Sequence, residues 1–424
     1  MKPITTTALA LVMALAATPA AAQYGMGTQQ QQQQQQLPPR ANQQEAAQPQ
    51  AQPKIQPSKK ALKALVELQD AVTKNDVANI PAKLAAAQAV AETKEDRYLT
   101  ARLQLQAAAT AKNNAAIATA IDAIAASSYL DTAHLSDLYV GLGGAYYNDK
   151  QFPQAAAAYQ KALAVYPQNT EAGNMVGEAM LAAGQKAEAA AAFQRLIQSR
   201  TATGQKPEEN LFKRAVSVAY EAQSPTAIDL ARQWVAAYPS QASWNDATAI
   251  YRNYNLGDAE ATMDLLRLKQ ALGFLTPGEY STLARAAAEQ LIFAEAQSVV
   301  DAGIAARKID PASPEYRDLV VGLRAKAKPT PADLATATKV AANGKALMRI
   351  GDNYAAMGDY ASAVQAYKLA MARPDGDAAL ANLHIGMALA RSGDKAGATA
   401  ALNAVTGPRA EVARFWLTYV NQKG

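Results

Sequence analysis

The 424-residue sequence has no cysteine. That absence excludes disulfides, thiolate metal sites, thiol nucleophiles and a lipid carried on an N-terminal cysteine, so the fold must be held by its core alone. Histidine is almost missing too: His134 and His384 stand far apart. A metal centre needs several ligands at close spacing, and no Gly-x-Ser-x-Gly elbow accompanies either histidine. No catalytic residue, cofactor or metal is therefore expected. Beyond residue 22 no stretch approaches the roughly 18 uninterrupted apolar residues of a membrane span. No alternating β-branched run is present, which argues against strands. Clustered positive charge is lacking as well: 41 basic and 36 acidic residues, net +5, are mixed along the chain. That balance favours solubility and gives no footprint for nucleic acid.

The two ends of the low-complexity region are readable. Lys2, a short apolar run over 8–17, Pro19 and then Ala20-Ala21-Ala22 make an export signal cut before Gln23. The mature chain is thus expected in the periplasm or secreted, with no integral membrane segment. Residues 23–57 follow, with unbroken glutamine over 29–36 and then Pro38-Pro39. They have too little apolar content to offset the entropy of ordering, and are expected to form a disordered leader.

From Ser58 onward apolar residues recur at three- and four-residue spacing, with Gly and Pro between segments, so the fold is expected to be all-α. Two hairpins are predicted over 58–135: residues 61–72 with 80–91, and 98–111 with 115–126. An array over 136–308 comes next, then a joint over 309–343, where Pro311, Pro314, Pro329 and Pro331 punctuate two helices. The second of these opens on Thr330-Pro331-Ala332-Asp333, an N-cap with an acidic third residue. Residues 344–424 are predicted to form a last pair of hairpins with a capping helix over 409–420, carrying Phe415, Trp416 and Tyr419, that seals the open end.

Within the array one pattern repeats. Tyr139, Leu142, Gly143 and Tyr146 share one helix face; Ala155, Tyr159 and Ala162 share a second, and Pro167 closes the unit. Val176-Gly177, Met180, Ala189 and Phe193 repeat it. Leu347, Ile350-Gly351, Tyr354, Ala363, Tyr367 and Ala370 do so far downstream, followed by Ile385-Gly386, Leu389, Ala398 and Leu402. Small residues sit where two antiparallel helices must approach, and large ones fill the space around them. Weaker copies contain Leu211, Ala215, Ala227, Ala231 and Pro239, then Trp244, Tyr251 and Ala261, then Tyr280, Leu283-Ala284 and Ala296.

This pattern resembles the tetratricopeptide repeat, a helical hairpin of 34 residues. The resemblance implies an α-solenoid of stacked antiparallel hairpins whose first helices line a concave groove. It implies a binding scaffold and specifies no activity. The outward first-helix residues Tyr147, Asn148, Asn174, Glu178, Phe212, Tyr220, Arg252, Asn253 and Arg285 become the candidates for partner contact. The groove does not repeat the Lys and Asn positions with which some family members clamp a C-terminal carboxylate. Gly141-Leu142-Gly143-Gly144 echoes a phosphate loop, but it lies mid-helix with no strand before it, so it reads as packing. The expected function is a non-catalytic scaffold for a protein or peptide partner, in envelope assembly, polysaccharide export or division. A carbohydrate or peptidoglycan binder is the alternative reading, and an enzyme with an unrecognised site in the N-terminal helices a third.

Overall fold

The computed structural model describes residues 55–423; the expected export signal over 1–22 and residues 23–54 of the expected leader lie outside the described residues. The described chain is helical throughout, with no strand. The first eight helices are α1 (Lys59–Thr73), α2 (Ile80–Val90), α3 (Lys94–Thr110), α4 (Asn114–Ser127), α5 (Thr132–Asn148), α6 (Phe152–Val165), α7 (Thr170–Ala182) and α8 (Lys186–Ala202). The middle of the chain holds α9 (Glu209–Glu221), α10 (Thr226–Ala237), α11 (Gln241–Tyr254), α12 (Ala259–Leu272), α13 (Pro277–Glu289) and α14 (Phe293–Ala305). Then come α15 (Arg317–Arg324), α16 (Pro331–Val340), α17 (Gly344–Ala356), α18 (Tyr360–Met371), α19 (Ala378–Ser392), α20 (Lys395–Asn403) and α21 (Ala410–Gln422). None of these helices is long and apolar enough to cross a membrane.

Local chemistry sets the helix starts. Ser58, Asn113, Asp131, Asn169 and Asp377 each accept an amide of the first turn, which satisfies one of the donors a helix start leaves open. Thr93 with Asp96, Thr276 with Glu279 and Thr330 with Asp333 form reciprocal capping boxes. Asp96 also accepts the Ser58 amide at 2.8 Å and is fully buried. The cap of α3 therefore pins the start of α1.

The glycine of each strong repeat is a contact point. A Cβ on Gly143 would lie 2.6 Å from the buried Tyr159 ring, and one on Gly351 would run into the Tyr367 ring. Gly177 meets Phe193 and Gly386 meets Leu402 in the same way. Because Tyr159 is itself 2% exposed, it has nowhere to retreat. Gly143→Leu should destabilise the chain by about 1–3 kcal/mol or more through overpacking. Asn148→Ala, exposed on the same helix, should stay within about 0.5 kcal/mol. Equal shifts in thermal unfolding for the two variants would contradict this packing.

Hairpins stack in order, the second helix of one against the first helix of the next. First helices also touch one another, α1 to α3, α5 to α7 and α17 to α19, whereas neighbouring second helices make no contact of that extent. At these three places the stack closes toward its first helices, and their face is the inner one. At the joint α14 packs directly on α17. The joint helices are displaced to the side: Leu319, Val320 and Leu323 of α15 cover α13 and α14, and Leu334 of α16 covers α17.

The last helix differs from the expected cap. α21 does cover α19 and α20, but it also packs on α10 and α12. Phe415 lies 6.3 Å from the Trp244 ring and 6.1 Å from the Tyr251 ring, both on α11. Trp416 Nε1 donates to the Asp264 carbonyl of α12 at 3.3 Å, and Gln422 donates to the Val235 carbonyl of α10 at 2.9 Å. One core cluster thus runs from Ala189 to Leu268 and continues through Leu383 to Val420. The C-terminal hairpins fold back on the middle of the stack, so α21 fills a gap inside the stack and does not seal a free end.

Candidate partner face and buried ionic junction

Eight of the nine candidate residues lie, exposed or half-buried, on the first helices α5, α7, α9, α11 and α13. Asn148 and Arg285 are exposed, and Tyr147, Asn174, Glu178 and Arg252 are half-buried. Tyr147 packs against the Phe152 ring at 5.2 Å. Tyr220 is 41% exposed, and its hydroxyl accepts from the exposed Asn253 at 3.0 Å. Phe212 does not belong to this face. It is 3% exposed and packs edge-on against Tyr238 at 6.2 Å. The physical reason is that α9 is held between α8 and α10, so the stripe beside Leu211 and Ala215 is buried as well.

Neighbouring first helices are tied across this face. Glu178 of α7 receives two hydrogen bonds from Arg214 of α9, each 2.8 Å. Tyr220 of α9 joins Asn253 of α11, and its ring meets Tyr254 at 5.9 Å. Arg252 of α11 lies 3.8 Å from Glu279 of α13, which also holds Lys269 of α12. Sequence reasoning singled out Glu178, Tyr220, Arg252 and Asn253 as outward-facing but missed that these four reach a neighbouring hairpin.

A second constellation went unread in the sequence. Arg267 of α12 makes a bidentate pair with Glu295 of α14, 2.7 Å on each side, and a further bond of 2.8 Å to Asp264. Asp352 of α17 lies 3.4 Å from Arg267 and accepts from Tyr367 of α18 at 2.7 Å. His384 of α19 bridges two acids, with Nδ1 2.8 Å from Asp352 and Nε2 3.3 Å from Asp264. Five helices meet in this junction, all its charged groups are buried, and none of its polar atoms lacks a partner. Asn353 adds a bond from the Ala294 amide across the α14–α17 contact at 3.1 Å.

The electrostatics of the junction follow from burial and from these partners. Burial alone would push the His384 imidazole down; the Asp352 and Asp264 carboxylates outweigh it and raise its pKa to about 10. Burial would likewise raise both aspartates, but Arg267 and His384 hold Asp352 well below the usual carboxylate range, and His384 and Arg267 hold Asp264 below it. Burial and then the Asp352 charge keep Tyr367 protonated far above its ordinary value. Near neutral pH the groups are locked as His384 cation, aspartates and phenol. The structural signal that could have found them is the charge inside an apolar run: Arg267 within Leu265-Leu266-Arg267-Leu268, and Asp352 beside the packing glycine. Among the described residues no group of acids and histidines is arranged to hold a metal ion.

The tetratricopeptide repeat family model matches residues 140–207 and 348–411, the stretches that contain the Gly143–Tyr159 and Gly351–Tyr367 contacts. No curated protein matches the chain. Solved structures do. A tetratricopeptide repeat protein from Parabacteroides merdae is 10% identical, with 69% of this chain and 99% of that chain covered at a TM-score of 0.26. The TPR2AB domain of yeast Sti1, solved in complex with pHSP90, is 12% identical over 68% and 98% at 0.25. PilF of Pseudomonas aeruginosa is 12% identical over 62% and 97% at 0.23.

Proposed function

Since residues 140–207 and 348–411 make this a tetratricopeptide-repeat protein, we propose that it is an exported, non-catalytic scaffold whose inner face holds a protein or peptide partner. Envelope assembly, polysaccharide export and division are the processes such a scaffold would serve. The observation that carries the reading is the face from α5 to α13. It is polar and aromatic, and it is braced by Glu178–Arg214, Tyr220–Asn253 and Arg252–Glu279 between successive hairpins. Bracing fixes side chains before a partner arrives, which lowers the ordering cost of binding. The burial and mutual pairing of the ionic junction support a structural role there.

A photo-crosslinking residue placed at Asn148 or Arg285, expressed in the cells that make the protein, should capture a discrete protein adduct. The same residue at Gln154, exposed on α6 of the outer face, should not. The adduct recovered from the envelope should begin at Gln23. Capture from the outer position alone, or of glycan without protein, would overturn the partner face; a retained Met1 would overturn cleavage and export.

A further inference from the structure

A cavity of about 290 Å³ opens between α12 and α17, outside the partner face. Each wall is one helix face at the spacing i, i+3, i+4, i+7: Glu260, Met263, Asp264 and Arg267 on α12, and Lys345, Met348, Arg349 and Asp352 on α17. The floor is the ionic junction, where Arg267, Asp264, Asp352 and His384 already pair with one another. Above it Met263 and Met348, with Leu291 and Leu380, provide apolar sides.

The upper charges are different. Lys345 and Arg349 have no carboxylate partner, and Glu289 at the end of α13 has no cation, among the described residues. Glu260 is already held by Arg409 at 2.7 Å. The lining as a whole has as many carboxylates as cations, so it offers no net attraction to a simple ion. An anion near Lys345 and Arg349 meets Glu289, and a cation near Glu289 meets the two bases. Lys345 and Glu289 are exposed and Arg349 is half-buried at the mouth of the cavity, so a molecule bearing both charges on a short apolar body would match these groups and the methionine side chains beneath them. The volume is at the small end of the range for ligand cavities.

We infer that this cavity binds a small zwitterion, an α-amino acid with an apolar side chain, its carboxylate on Lys345 and Arg349 and its ammonium on Glu289. Such a ligand touches α12, α17 and α19, and so bridges the middle of the stack and the C-terminal hairpins. Binding to the folded chain alone raises its stability by mass action.

Isothermal titration of the full chain with L-leucine tests the site, with N-acetyl-L-leucine and L-leucinamide as probes of each charge. L-leucine should bind saturably and raise the unfolding temperature. Each capped analogue should bind at least about tenfold more weakly, as should L-leucine to Arg349→Gln or Glu289→Gln, since each loses a charge-assisted hydrogen bond. These variants leave the buried junction intact. No saturable signal at millimolar L-leucine overturns the inference. So does equal binding of N-acetyl-L-leucine, which would mean an anion site, or unchanged binding by both variants, which would put the ligand elsewhere.

Discussion

Arg267→Met should lower the stability of the folded chain by about 3–5 kcal/mol, because it leaves buried carboxylates without their counter-charge. Glu295 would lose both of its hydrogen bonds to the guanidinium, and Asp352 and Asp264 would keep only His384 as a cation. Urea unfolding at constant slope reads the change as a shift in midpoint. Lys60→Met removes the exposed Lys60–Glu92 pair, with side chains 58% and 62% exposed, and should cost about 0–1 kcal/mol. Comparable losses in the two variants would mean that the junction is not the buried unit its distances describe. The same junction sets a pH dependence. His384 has its pKa raised from an ordinary 6.5 to about 10, so its contribution is full below about 6.5 and disappears as pH rises through about 10. The aspartates, lowered, contribute above their ordinary range and lose that contribution on acidification. His384→Gln should therefore flatten the loss of stability between pH 6.5 and 10 relative to the parent chain. An unchanged slope over that window would contradict a protonated His384.

What could be read in the sequence was whatever is local or periodic. The helix starts at Thr93, Thr276 and Thr330 lie in stretches of a few residues. The Gly143–Tyr159 and Gly351–Tyr367 contacts each span a single hairpin, so the repeat pattern contains them. The closure could not be read this way. Trp244 and Tyr251 looked like a loose copy of the repeat because they depart from its small residues. The structure shows why: they meet Phe415 from the far end of the chain. Arg267 and His384 lay in helices whose pattern was already accounted for by hairpin packing, and the junction they form draws on five helices spread from α12 to α19. Phe212 was misplaced for the opposite reason, since one-helix periodicity cannot tell that α9 is buried from two sides.

Trp416→Ala should cost about 3–5 kcal/mol, and its damage should not stay in the last hairpin. In an open solenoid each unit depends only on its neighbours, so a lesion at one end frays that end. Here Trp416 is fully buried, its indole donates to the Asp264 carbonyl, and its ring stacks edge-on with Tyr419 at 5.5 Å. The helix carrying it also covers Trp244, Tyr251 and Leu265. Loosening α21 therefore uncovers the middle of the stack and withdraws the C-terminal side of the ionic junction at once. Trp234 and Trp244 remain as the fluorophores of the variant. The environment of Trp244, now 1% exposed, should become aqueous, and emission should move to longer wavelength before global unfolding. Limited proteolysis should cut at the α11–α12 turn near Leu256, already 84% exposed, as well as in the C-terminal hairpins. A variant cut only beyond residue 407, with emission unchanged, would show α21 to be a terminal cap and the closure of the stack to be dispensable. Cleavage at both places, together with a single broadened unfolding transition, is the outcome expected when one helix joins two distant parts of one core.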